Sequence, residues 1–145
     1  MSISLRTLTT PSQSELEQIA LLLSILRSKT VTADEITKDV EQMIREDDRA
    51  IIIAENEGKI VGMIVVNVLV KINRREVKLD EFVVDPNARG GGVGAKLINA
   101  AVDWTWEHNC ELIELTSRPS REASNHLFQK AGFKLRETNV YQLKK

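Results

Sequence analysis

One cysteine, one tyrosine and three prolines are all that this chain of 145 residues holds of those types. A lone cysteine, Cys110, excludes an internal disulfide and a cysteine-based zinc centre. Neither sign of charge dominates: 20 basic side chains against 21 acidic ones leave a formal net charge of −1. The electrostatic footprint of a nucleic-acid binder is therefore missing. No apolar run reaches the roughly 18 residues that span a bilayer, so a membrane is not an expected partner. Met1-Ser2-Ile3-Ser4-Leu5-Arg6 lacks the apolar core of a secretory leader. Internal repeats, low-complexity tracts and linkers are lacking too. What is there is an ordinary composition, 42% hydrophobic and 28% charged, in a chain long enough to bury a core. The expectation is one domain over residues 1–145, in the cytoplasm, with no metal.

Apolar periodicity divides the chain into elements. Residues 5–10 suit a first strand. Leu16, Ile19, Ala20, Leu23 and Leu26 recur at helical spacing behind Pro11, Ser12 and Glu15, the cap and early acid of a helix start. Thr32 and Glu35 have capping-box spacing and open a second helix with Ile36, Val40, Met43 and Ile44 on its stripe. Residues 50–54, 60–70 and 76–84 read as strands. Asn56-Glu57-Gly58-Lys59 predicts a hairpin turn between the first two of these, and Asn73-Arg74-Arg75 predicts another. Pro86 ends the third, because proline cannot continue a central strand. A helix over 93–108 follows, then a strand over 112–116 and a helix over 120–131 closed by Gly132. Two final strands are expected over 133–136 and 140–143. The fold class is α/β (α+β), a mixed, mostly antiparallel central sheet flanked by helices.

The chemistry points to Arg89-Gly90-Gly91-Gly92-Val93-Gly94, at a strand-to-helix junction. Glycines there leave backbone N–H groups unobstructed. The first N–H groups of a helix lack intrahelical partners, and the dipole adds positive charge. Such a place suits a phosphate or pyrophosphate, and hence a nucleotide-type cofactor. A flexible surface loop is the bland alternative, opposed by the strand and helix signals on both sides. Gly90, Gly92 and Ala95 also satisfy the dinucleotide pattern G-x-G-x-x-A. That fingerprint wants its first glycine directly after the strand of a βαβ unit. Here residues 85–89 intervene and the preceding strands are antiparallel. A phosphate loop of the Walker type fails, since no Gly-Lys-Ser/Thr follows.

Residues 84–94 resemble the acetyl-CoA motif of the GNAT superfamily of N-acetyltransferases: Arg or Gln, two residues, Gly, one residue, Gly or Ala, after a strand that often ends Val-x-Pro. Arg89, Gly92 and Gly94 occupy its fixed positions. Residues 120–133 resemble the family's last-helix segment, which commonly ends Tyr-x-Lys-x-Gly-Phe and here reads Phe128-Gln129-Lys130-Ala131-Gly132-Phe133. The resemblance covers nearly the whole chain. It implies the GNAT acyl-CoA N-acyltransferase fold, with acetyl-CoA as acetyl-donor cosubstrate. It also implies that backbone N–H groups from Arg89 through Gly90, Gly91, Gly92 and Val93 to Gly94 hold the pyrophosphate. Phe82, Val83 and Val84 would pair with the pantetheine arm as an added strand would. Transfer would go directly to a primary amine, of a small molecule or a protein, in a ternary complex. Homodimers are common among relatives. A non-catalytic acyl-CoA-binding or sensing module is the alternative.

For the amine proton the resemblance favours Glu81 as base; neighbours alternate along a strand, so only one of Asp80 and Glu81 should face the cleft. The family's usual acid is a tyrosine aligned with Phe128, which has no proton to give. Three readings stay open: Tyr141 reaches in from the final strand, water serves, or the acid is dispensable because a CoA thiol leaves readily. Phe128 can still pack beside the cofactor, and Asn125 lies in the helix that flanks it in relatives. Arg118 and Arg121 can meet CoA phosphates or an acidic substrate, or lie solvated. His126 reads as an exposed helix residue, Cys110 as a small buried one, and Trp106 as surface.

Overall fold

A computed structural model describes residues 2–145. The elements run β1 (Ile3–Thr7), α1 (Gln13–Arg27), α2 (Ala33–Arg45), β2 (Arg49–Asn56), β3 (Lys59–Lys71), β4 (Arg74–Val84), a 3₁₀ turn (Pro86–Ala88), α3 (Val93–Glu107), β5 (Ile113–Glu114) and α4 (Glu122–Lys130). The five strands lie in sequence order in one sheet. Pairs β1–β2, β2–β3 and β3–β4 are antiparallel, and β4–β5 is parallel. That is the mixed, mostly antiparallel sheet expected from the sequence.

Both faces of the sheet are buried, which explains the near-continuous apolar runs of β2 and β3. On one face Ile52, Ile64, Val66 and Val77 pack under Leu97, Ile98 and Ala101 of α3. On the other Ile51, Ile53, Met63 and Val65 meet Leu16, Ile19 and Leu23 of α1 with Ile36 and Val40 of α2. Among the described residues no helix is long and apolar enough to cross a membrane.

Local chemistry sets the boundaries. The Ser12 hydroxyl accepts from Glu15 N at 3.1 Å while the Glu15 carboxylate accepts from Ser12 N at 3.0 Å, a complete capping box. Glu35 likewise accepts from Thr32 N at 3.0 Å. At the end of α4, Phe133 N donates to Phe128 O and Gly132 N to Gln129 O, both at 3.0 Å. This is the Schellman pattern, with Gly132 at the C′ place read from the sequence.

The last third departs from expectation. β5 pairs over two residues only, and residues 133–136 and 140–143 form no strand. Every residue from 134 to 145 is exposed. Strand propensity describes side chains that suit a pleated, half-buried surface, and it does not supply the neighbouring strand. β1 also starts and ends earlier than the expected 5–10, although Leu8 N still bonds Ile51 O at 2.8 Å.

Candidate active site

β4 carries the site because it leaves its neighbour on one side. Parallel pairing with β5 covers only Val77↔Ile113 and Lys78↔Glu114. From Leu79 to Val84 the edge of β4 facing β5 has no strand partner among the described residues. The gap opens toward α4. Its narrow end is a cavity of about 70 Å³ lined by Asp80, Glu81, Phe82, Thr116, Arg121 and Phe128.

A β-bulge sits in the same stretch. Met63 pairs Val83 and Val65 pairs Asp80, so Ile64 alone opposes both Glu81 and Phe82. Glu81 takes the left-handed conformation, φ 52°, which costs a residue with a Cβ about 1–2 kcal/mol. The bulge overturns the alternation expected for Asp80 and Glu81. Asp80 stands in register with Val65 of the α1 face and accepts from Asn67 Nδ2 at 2.8 Å. Glu81 turns to the same side, where Arg27 of α1 grips both its oxygens at 2.7 and 2.8 Å. Phe82 takes the α3 face instead, 5.3 Å from the Phe128 ring, which in turn meets Phe133 at 5.8 Å.

The glycine segment follows at once. Asp85 Oδ1 accepts from Asn87 N at 2.9 Å and caps the short turn that Pro86 begins. Gly92 then stands as N-cap of α3 at φ 75°, a conformation open to glycine at little cost. Having no side chain, it leaves the N–H groups of Val93, Gly94 and Ala95 uncapped; the first helical bond is Lys96 N to Gly92 O, 3.0 Å. Gly94 is required by closeness: a Cβ there would lie 2.7 Å from Leu127 Cδ1 and 3.4 Å from Phe82 Cζ. Its absence lets α3, α4 and β4 converge.

Two positive charges face this junction. Arg121, half-buried, donates through Nη2 to Phe82 O at 3.0 Å. Burial first, and then the neighbouring Arg89, lower its pKa from the ordinary guanidinium value. Among the described residues neither Arg89 nor Arg121 has a carboxylate partner. A half-buried cation without a counter-ion, beside uncapped helix N–H groups, suits an anionic ligand.

The fold thus gathers Glu81, Phe82, Val83, Val84, Phe128 and the segment 89–94 at one end of the gap. Asn125 is close, but its amide donates to Arg118 O at 2.9 Å and Arg121 O at 2.8 Å, bracing the turn that presents Arg121. Tyr141 is not brought in: it is 88% exposed on the terminal segment. His126 and Trp106 are exposed and Cys110 is buried, as read from the sequence. Sequence reasoning missed Arg27, whose partner is 54 positions away; no local pattern marks such a pair.

The profile described as the Acetyltransferase (GNAT) family matches residues 17–133. The chain belongs to that family. Membership agrees with the resemblance carried by residues 84–94 and 120–133. An uncharacterized N-acetyltransferase of Methanocaldococcus jannaschii is 29% identical over 98 residues, 66% of this chain. The chain spans 43% of the length of that relative. Solved structures share the fold at lower identity. Glucosamine-6-phosphate N-acetyltransferase from Arabidopsis thaliana superposes with a TM-score of 0.82 at 21% identity, covering 100% of both chains. An aminoglycoside N-acetyltransferase in complex with CoA gives 0.83 at 23%, covering 99% of this chain and 95% of the other. A transcriptional regulator from Bacillus halodurans C-125 gives 0.85 at 21%, covering 99% and 100%.

Proposed function

We propose that this GNAT member moves an acetyl group from acetyl-CoA to a primary amine by direct attack in a ternary complex. The observation that carries the reading is the junction of β4 and α3: a strand edge without a strand partner leads to uncapped N–H groups beside two arginines that have no carboxylate partner among the described residues. When bound, acetyl-CoA supplies the activated acyl group as a thioester. The N–H groups of residues 93–95 and Arg89 hold the diphosphate, and the backbone of Phe82, Val83 and Val84 aligns the pantetheine arm. Arg121, now on Phe82 O, exchanges that carbonyl for the incoming ligand. Most of the rate comes from such positioning.

Glu81 receives the amine proton, directly or through a water. Arg27 holds its carboxylate by both oxygens, so the base is set before the acceptor arrives. At Phe128 no proton is available, and Arg121 lines the same small cavity. Its positive charge favours departure of a thiolate without a side-chain acid. Two structural neighbours are named for amino-sugar acceptors, which supports a small amine as the first class to try. A protein amino group is the other.

The test is an amine panel with acetyl-CoA, following release of free thiol. A second reading, a non-catalytic acyl-CoA-binding module, draws on Phe128, buried between Phe82 and Phe133 without a hydroxyl. Both readings expect CoA binding. Thiol release that rises with a particular amine selects the enzyme, and binding without release across the panel selects the module.

A further inference from the structure

We infer that the Thr116 hydroxyl is a second anchor for the attacking amine, taking one N–H of the nitrogen from across the gap while Glu81 takes the other. The inference rests on the acetyl-transfer reading and adds a contact residue to it. β4 and β5 run parallel through Val77↔Ile113 and Lys78↔Glu114 and then part. The same register carried onward sets Thr116 level with Asp80, on the opposite bank of the gap. Both line the cavity of about 70 Å³ that Glu81 and Arg121 also line, and among the described residues Thr116 is the one hydroxyl-bearing residue on its wall. Ile113 and Leu115 pack on the α3 face of the sheet. Alternation therefore gives Thr116 the other face, the α1 side on which Arg27 holds Glu81. The uncapped helix start that suits the diphosphate lies at α3. The thioester thus comes to the gap from one face of the sheet and the amine from the other, and Thr116 stands on the amine's side.

The other polar groups around the cavity are already engaged. Asp80 accepts from Asn67, Glu81 accepts from Arg27, and Arg121 donates to Phe82 O. None of these bonds uses Thr116, which is exposed. A neutral primary amine carries a lone pair and a pair of N–H bonds. An acceptor on each bank holds both N–H bonds and aims the lone pair between them, into the gap. Fixing the attack direction in this way is where positioning acts on the rate. As the N–C bond forms the C–S bond breaks, and its electron pair leaves on sulfur. The proton that the nitrogen gives up goes to Glu81. Thr116 accepts a hydrogen bond throughout and takes no proton. A secondary amine has a single N–H and can engage Glu81 or Thr116 but not both. The hydroxyl therefore selects primary amines.

The experiment follows thiol release with the fastest primary amine of the panel and with its N-methyl derivative. It compares the parent chain with Thr116→Val and Thr116→Ser. Valine keeps the shape and removes the hydroxyl. For the primary amine kcat/KM should fall by about tenfold in Thr116→Val, the upper end for one neutral hydrogen bond. The N-methyl derivative should lose less, and Thr116→Ser should recover most of the rate. CoA affinity by isothermal titration should match the parent in both variants, which also shows that they fold. A Thr116→Val chain with the parent kcat/KM overturns the inference. So does a serine variant as slow as the valine one, because the loss then comes from shape and not from the hydroxyl. Equal losses for both amines overturn it as well, and a fall in CoA affinity assigns Thr116 to the cofactor instead. A parent chain that binds CoA and releases no thiol with any amine overturns the acetyl-transfer reading itself, and this contact with it.

Discussion

The Arg27 guanidinium grips both carboxylate oxygens of Glu81, at 2.7 and 2.8 Å, across 54 positions of sequence. One partner closes α1 and the other sits in the bulge of β4 with its backbone left-handed. The ion pair therefore fixes the one strained residue of that strand and aims its carboxylate along the α1 side of the gap. Neither the strain nor the aim would exist on a regular strand, where Glu81 would share the α3 face with Val77 and Leu79.

Removing the proposed base tests its role. Glu81→Gln keeps the shape and loses the proton acceptor. The thiol-release rate at pH 7 should fall by about 10²-fold, the lower end for a general base, while titration with CoA gives an unchanged affinity. Full rate in this variant would falsify the assignment. Arg27→Gln should lower the rate less and leave CoA affinity alone, since Arg27 only positions the carboxylate.

Phe128→Tyr probes the missing acid. The new hydroxyl has room in the 70 Å³ cavity that Phe128 lines, more than the volume one water needs. A rise in turnover of up to about tenfold is expected, well short of the usual range for acid catalysis because a CoA thiol already leaves easily. Arg121→Gln should act in the opposite direction, and it should also weaken CoA binding by isothermal titration.

Crowding the junction should disturb binding and folding together. Gly94→Ala puts a methyl 2.7 Å from Leu127 Cδ1. The contacted atom is a side-chain end that can shift, so the cost lies near the low end for overpacking, about 1 kcal/mol. Urea unfolding should show that loss, and CoA titration should show weaker binding as α3 moves away from β4.

Acid should unfold the chain partly through Glu15. The Ser12 backbone N–H, and then the Arg6 side chain, hold its carboxyl below the usual carboxylate range. The folded state thus binds the proton less readily than the unfolded state. Its contribution is present above about pH 4.3, the ordinary value for a glutamate, and is lost as pH falls through the lower folded value. Glu15→Gln should cost about 0.5 kcal/mol at pH 7, because Gln still accepts from Ser12 N and only the negative charge at the helix start, facing Arg6, is lost. The gap between variant and parent in urea titrations should narrow as pH falls below about 4.3 and close once Glu15 is protonated in the folded state too.

Much of this architecture could be read from the sequence. The capping boxes at Ser12–Glu15 and Thr32–Glu35, the hairpin at Glu57-Gly58 and the helix stop at Gly132 depend on residues a few positions apart. Local backbone chemistry decides them. The glycines at 92 and 94 were legible for the same reason, since a positive φ and a tight approach both leave their mark on residue type.

By itself, then, the sequence determined the order of elements as far as α4 and marked the glycine segment between β4 and α3 and the candidate residues along β4. Tertiary structure alone decided which way those residues point. The bulge at Glu81, its union with Arg27, and the bond from Arg121 to the Phe82 carbonyl arise from register and from contacts between elements remote in the chain. Periodicity carries no record of them. The same holds for the end of the chain: residues 140–143 have the side chains of a strand, but they pair with no neighbouring strand and all are exposed, because propensity does not supply a partner.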